Sequence, residues 1–248
     1  MTAQNTRAAA FAQLNKRKPG SIEHFPASFD DTRFGFKGIQ SRFRDKPGRL
    51  IRAIDPFSCE LVEFSTPLQY ENWLLRRFDP RVIYLDPSRD EWDVLHHGQQ
   101  LEVKPHLHWA GWSDKGFLEL VAEPGRDVSN AMLDTLEIVA RAHGLTPVIR
   151  VAADIRSQPK LLDFLDRTRQ MLMMHIYEMR DAAVRKSVFS YVSGQPQVTR
   201  GEVLAVCAEQ GTTELAVDCV LFWLRQTGAL HFDVTGGRYD DRTLICAA

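Results

Sequence analysis

Apolar positions recur at two spacings along this chain, and the switch between them divides it. RLIRAIDPFSCELVEF (49–64) reads as two short strands around Asp55-Pro56-Phe57-Ser58, which predicts a β-hairpin. A helix follows: Ser65 or Thr66 supplies a cap, Pro67 suits the first turn, and Leu68, Trp73, Leu74 and Leu75 form the inward face. Strand-like runs come next at 81–86, 91–96, 99–109 and 116–123, broken by Asp-Pro-Ser, His-His-Gly and Ser-Asp-Lys-Gly. Residues 128–143 return to helical spacing through Val128, Met132, Leu136, Val139 and Ala140 and stop at Gly144. TPVIRVA (146–152) reads as a buried strand.

From Pro159 the texture changes. Residues 160–190 form one long helical pattern rich in Leu and Met, in which Met171, Met173 and Met174 read as core filler before an adaptable contact surface. Beyond Gly194-Gln195-Pro196, helices are expected at 200–210 and 213–227, followed by LHFDV, Gly236-Gly237 and a last strand, TLICA. Helix, turn, helix and then a hairpin is the order of a winged helix. Residues 1–32 carry weak periodicity and read as an arm. The expected fold class is therefore α/β: a mixed sheet flanked by helices over 50–158, an α-helical, winged-helix-like domain over 159–248, and a basic arm over 1–49.

Composition adds constraints. With 248 residues, 44% of them hydrophobic, the chain can bury a sizeable core. It holds no run of 18 apolar residues and no apolar leader, and Cys59, Cys207, Cys219 and Cys246 form no CxxC pair. A reduced, cytoplasmic protein is the expectation. Cys207 and Cys219 fall on apolar helix faces, as core cysteines do. Net charge is −1, but residues 1–52 hold 11 bases and 4 acids, against 20 bases and 28 acids in the rest. Such a segment suits a polyanion; a solvated tail is the plainer alternative. Its candidate phosphate contacts are Lys37, Arg42, Arg44, Lys46, Arg49 and Arg52.

The order of pieces resembles the TnsA-type endonuclease family, the restriction-endonuclease-fold subunit of heteromeric transposases. The pieces are FKGIQSRFRDKPGRLI, the helix STPLQYENWLLRRFDPRV with its Asp79-Pro80-Arg81-Val82 exit, Leu85-Asp86-Pro87, Lys104-Pro105-His106, LELVAEP and HGLTPVIRVAADIRSQP. The resemblance implies a restriction-endonuclease-like sheet, a C-terminal winged-helix-like part, DNA as substrate, and a DDE-type transposase and an AAA+ regulator as partners. It also implies a divalent metal, Mg²⁺ or Mn²⁺, held by a helix glutamate, a proline-aspartate and a glutamate-x-lysine motif.

This chain departs at each of those positions. The helix glutamate falls on Gln69, the aspartate on His106, and the last motif on Val121 and Glu123. A neutral amide, an imidazole and an isopropyl group suit Mg²⁺ poorly, and Glu123 inverts the lysine's charge. The expectation is a nuclease fold without nuclease chemistry and without a cofactor. Two rescues are open. Glu71, Glu119 and Glu123 could build a new acidic cluster, although alternate exposed glutamates on a strand are ordinary. His106 and His108 lie on one strand face with Glu102 and Lys104 and could hold zinc or manganese, although the lysine repels a cation. An active nuclease with a rearranged site and an adaptor outside transposition are thus the alternatives.

Other chemistries lack a signature, since the chain has no GxGxxG, Walker or GxSxG motif. The second helix of the winged-helix-like part, TTELAVDCVLFWLRQTG, carries Glu214 and Asp218 against a single base, Arg225. That favours docking or packing over reading of bases.

Overall fold

The computed structural model describes residues 50–87, 91–112, 115–123 and 128–248. Lys37, Arg42, Arg44, Lys46 and Arg49 lie outside the described residues.

Strands β1 (Ile51–Ile54) and β2 (Leu61–Phe64) pair antiparallel as the expected hairpin. Asp55 organises the turn: its Oδ1 accepts the Phe57 and Ser58 amides at 2.8 and 3.2 Å. Helix α1 (Pro67–Arg77) starts at Thr66, whose hydroxyl accepts the Gln69 amide, with Pro67 at the first helical position.

A four-stranded sheet follows in the order β3-β6-β7-β8. β6 (Leu107–Gly111) runs antiparallel to both its neighbours, β3 (Val82–Asp86) and β7 (Gly116–Ala122), and β8 (Thr146–Val151) pairs parallel with β7. β4 (Trp92–His96) and β5 (Gln99–Val103) make a separate hairpin. Helix α2 (Asn130–Ala142), capped by Ser129, packs Leu136, Val139 and Ala140 against Leu118 and Leu120. Strand alternation turns Glu119 and Val121 to the opposite face, toward α1 and the short helix α3 (Ala152–Ile155). The molecule is therefore α/β, with helices on both faces of a mixed sheet.

In this part of the chain two expectations need correction. Residues 99–109 are two strands, because Pro105 cannot donate to a ladder and the chain turns over 104–106. Residues 146–152 form a half-buried edge strand rather than a buried one.

The long pattern after Pro159 is three helices: α4 (Pro159–Met174), α5 (Ile176–Arg180) and α6 (Ala182–Ser193). The chain leaves helical geometry at His175 and Asp181, and Asp181 caps α6 by accepting the Ala183 and Val184 amides. Met173 is buried and Met174 exposed. Then come β9 (Val198–Thr199), α7 (Arg200–Glu209) with a capping box between Thr199 and Glu202, α8 (Glu214–Gln226), β10 (Leu230–His231) and β11 (Leu244–Ala247). The three strands form a sheet in the order β10-β11-β9.

Helix α8 is buried without interruption from Ala216 to Phe222. One core cluster extends from Ile51 in β1 through Trp73 and Phe78 to Phe222 and Ile245. Arg225 ties the halves directly, donating to the Phe78 carbonyl at 2.7 Å and the Phe232 carbonyl at 3.0 Å. Residues on either side of position 158 thus share a core. Cys207 and Cys219 lie in it, and burial pushes both thiols up, Cys219 to about 12. Among the described residues no helix is long and apolar enough to cross a membrane.

Candidate functional site

The α1-facing side of β7 holds a polar centre. Glu119 projects from a strand whose other side packs on α2, so its carboxylate enters the layer beneath α1 and is 0% exposed. Four contacts from three donor side chains surround it. Asn72 Nδ2 donates at 2.5 Å, Arg76 Nε and Nη2 at 3.0 and 2.7 Å, and Trp109 Nε1 at 2.9 Å. Asn72 and Arg76 are four residues apart and so share one face of α1. The Arg76 guanidinium also lies 4.5 Å from the Trp109 ring centroid. Such a carboxylate has its charge balanced by a guanidinium and both oxygens engaged by protein donors.

Glu123, two residues on along the same strand face, accepts the Thr66 hydroxyl and so pins the N-terminus of α1 to the end of β7. Gln69 serves that same turn: its Oε1 accepts the Ser65 amide at 3.0 Å. Val121 is buried with Leu68 and Ile155. His106 Nδ1 accepts the Val121 amide at 2.7 Å, and the His106 amide donates to the Glu119 carbonyl at 2.9 Å. Burial pushes the His106 pKa down to about 4, against the opposing pull of the Glu119 charge. An accepting Nδ1 requires the neutral ring with its proton on Nε2.

The structure thus assembles Gln69, His106, Val121 and Glu123 around the α1 N-terminus and the carboxyl end of β7, but it does not unite the proposed rescues. Glu71 leaves this group for Arg156, with contacts of 2.5 and 3.2 Å. Glu71, Glu119 and Glu123 each serve a different partner. His106 and His108 also separate, because His106 precedes β6 and strand alternation does not reach it. His108 packs edge-on to Tyr84 and Trp92, with ring centroids at 5.2 and 5.1 Å, and burial lowers its pKa against the pull of Asp86. Among the described residues no group of three or more His, Cys, Asp or Glu is placed to share a metal ion. The donor set does not fit the divalent ion that the resemblance implies: its members are an amide, an imidazole tied to the backbone, a valine, and Glu123, a carboxylate engaged by Thr66 where the resemblance expects a lysine, while the neighbouring Glu119 already faces a guanidinium.

Of the basic candidates, Arg52 is described. Its Nε meets Glu63 at 2.8 Å across the hairpin, on a side chain 63% exposed. The residues that organise the site, Asn72 and Arg76, were not singled out in the sequence. Their four-residue spacing on the side of α1 that carries Trp73 was the available signal.

The C-terminal part has its own polar centre, around Arg200. This guanidinium donates to Asp218 at 2.8 and 2.7 Å, to Glu214 at 2.5 Å and to Asp241 at 2.5 Å, and lies 5.0 Å from the Tyr239 ring. No family model, curated protein or solved structure matches the chain.

Proposed function

We propose that the protein is a catalytically inactive TnsA-like subunit that works in DNA transposition as a DNA-binding and assembly protein. One observation carries the reading. The four positions at which the resemblance expects metal ligands and a catalytic lysine gather around the α1 N-terminus and the end of β7, and they carry an amide, an imidazole that accepts a backbone amide, a valine and a glutamate in the lysine's place. In this reading the fold persists and the phosphodiesterase chemistry does not. Metal-assisted hydrolysis needs open coordination positions on convergent carboxylates and a water-activating group beside them; here the buried carboxylate is closed by Arg76 and Asn72.

The mixed sheet between α1 and α2 is consistent with a restriction-endonuclease-like core. The order α6, β9, α7, α8, β10, β11 is consistent with a winged helix whose second helix is spent on packing. DNA then falls to the basic segment before Ile51, and the partners implied by the resemblance, a DDE-type transposase and an AAA+ regulator, fall to the surface of the C-terminal part.

The test uses full-length protein. Incubation with plasmid and with transposon-end DNA in Mg²⁺ or Mn²⁺ is expected to give no cleavage. Nicking that disappears in Glu123→Ala or Glu71→Ala protein would overturn the reading. Binding to a DNA duplex should weaken steeply with salt, and joint replacement of Arg42, Arg44 and Arg49 by Ala should weaken it for all sequences alike. A parent protein that binds no duplex removes nucleic acid as a partner.

A further inference from the structure

Among the described residues the buried and part-buried arginines mostly have partners, Arg169 meeting Tyr70 and Asp166. Arg76 meets Glu119, Arg77 meets Asp55, Arg200 meets Asp218, and Arg225 meets two backbone carbonyls. Arg185, whose Nε is buried without a hydrogen bond, lies 4.4 Å from the Trp223 ring. Arg150 is different. It makes no side-chain hydrogen bond, ion pair or ring contact among the described residues, and its Nε is buried without a partner. Nε is its only nitrogen closed off in this way, so the two Nη groups reach the surface.

Its place in the fold gives that free cation a meaning. Arg150 is paired in register with Val121, and its strand neighbour Val148 with Glu119. Paired residues share a face, so Arg150 stands on the α1-facing side, one strand out from Val121 and near Glu123. β7 and β8 are parallel and end together at Ala122 and Val151, which places Arg150 at their carboxyl ends. Among the described residues, the three glutamates nearest this face have other partners: Glu119 is held by Arg76, Glu123 by Thr66 and Glu71 by Arg156. A valine would satisfy this edge position as it does at 148. With Nε closed off, the guanidinium presents its two open Nη groups, and the planar pair matches two oxygens of a phosphate.

We propose that Arg150 holds a backbone phosphate of duplex DNA at the end of β7 and β8, so that the face without a metal site still binds the strand. This rests on the DNA-binding reading above and adds a second contact, separate from the basic segment before Ile51. The contact carries no base information, because phosphates position a duplex without reading it.

Arg150→Gln in the full-length protein should lower duplex affinity for all sequences alike. It should also reduce the slope of log affinity against log salt by about one. Arg150→Lys should restore most of the slope. The Arg42, Arg44 and Arg49 replacement should remove its own share additively. On the parent protein, phenylglyoxal modification of Arg150, read by mass spectrometry, should be suppressed by duplex and not by equimolar inorganic phosphate. This second readout stands even if Arg150→Gln fails to fold. A parent that binds duplex while Arg150→Gln keeps the same affinity and slope overturns the Arg150 contact and leaves the function intact. So does unchanged Arg150 modification under saturating duplex. Protection by inorganic phosphate alone overturns the DNA assignment. A parent that binds no duplex overturns both readings.

Discussion

Two arginines organise two polar centres, and the difference between them separates the halves of the molecule by task. Arg76 faces one carboxylate, Glu119, which is fully enclosed and also bonded by Asn72 and Trp109. Arg200 faces three, of which Asp218 is largely buried while Glu214 and Asp241 are 66% and 74% exposed. The first centre is neutral and closed. The second has surplus negative charge opening to solvent, and hydrogen bonds to Asp218 and Glu214 hold the Arg200 guanidinium firmly protonated. A phosphate backbone is repelled by the second centre. If the protein binds DNA as proposed, the strand is expected at the sheet end near Arg150 and away from the acidic rim around Arg200.

The sharpest way to break the comparison is to open the closed centre. Arg76→Leu leaves the Glu119 charge buried beside Asn72 and Trp109. A stranded buried charge costs about 3–5 kcal/mol, which urea denaturation reads as a large drop in the unfolding midpoint. Arg76→Leu combined with Glu119→Gln should recover much of that loss, because a neutral acceptor for Asn72 and Trp109 remains. If the single variant loses less than about 1 kcal/mol, the pair is not the closed ion pair described above, since that is the range of exposed pairs.

His106 provides a pH test of the same centre. Its folded pKa is about 4, below the ordinary imidazole value of 6.5, because burial disfavours its charged form. Between these values the unfolded chain binds a proton that the folded chain refuses, so stability is complete above about pH 6.5 and falls as pH drops toward 4. A shift of this size corresponds to roughly 3 kcal/mol across the window. His106→Asn, which offers Val121 an oxygen acceptor without titrating, should flatten this limb of the stability profile. An unchanged profile would assign the acid sensitivity to other groups. Nothing comparable is expected around Arg200, where no histidine enters the network.

Much of the fold was legible because its signals are local. Thr66-Pro67 starts α1, Gly144 follows α2 in the left-handed conformation at φ 70°, and the Asp55 turn joins β1 to β2. The breaks within 160–190 were missed because the apolar pattern continues through them. Asp181, a short acid ahead of Ala183 and Val184, was the available cue for the second break. The site was legible as a set of positions and not as chemistry. Glu119 reads as an ordinary outward strand residue, since its partners Asn72 and Arg76 lie 47 and 43 residues back along the chain. Likewise the separation of His106 from His108 depends on where β6 begins, and only the bend at Pro105 decides that.

The smallest effect sharpens the comparison from the open side. Glu214 and Asp241 bond Arg200 from exposed positions, so their pairs are solvated on one side and lose side-chain entropy on the other. Joint Glu214→Gln and Asp241→Asn replacement should therefore change unfolding free energy by less than about 1 kcal/mol, because Asp218 still holds the guanidinium at two positions. The same variant should lose affinity for a lysine- and arginine-rich peptide, measured by titration, while Arg76→Leu combined with Glu119→Gln should not. A loss of stability several times larger would make the acidic rim part of the fold's own support, and the contrast between a closed structural centre and an open docking centre would fail.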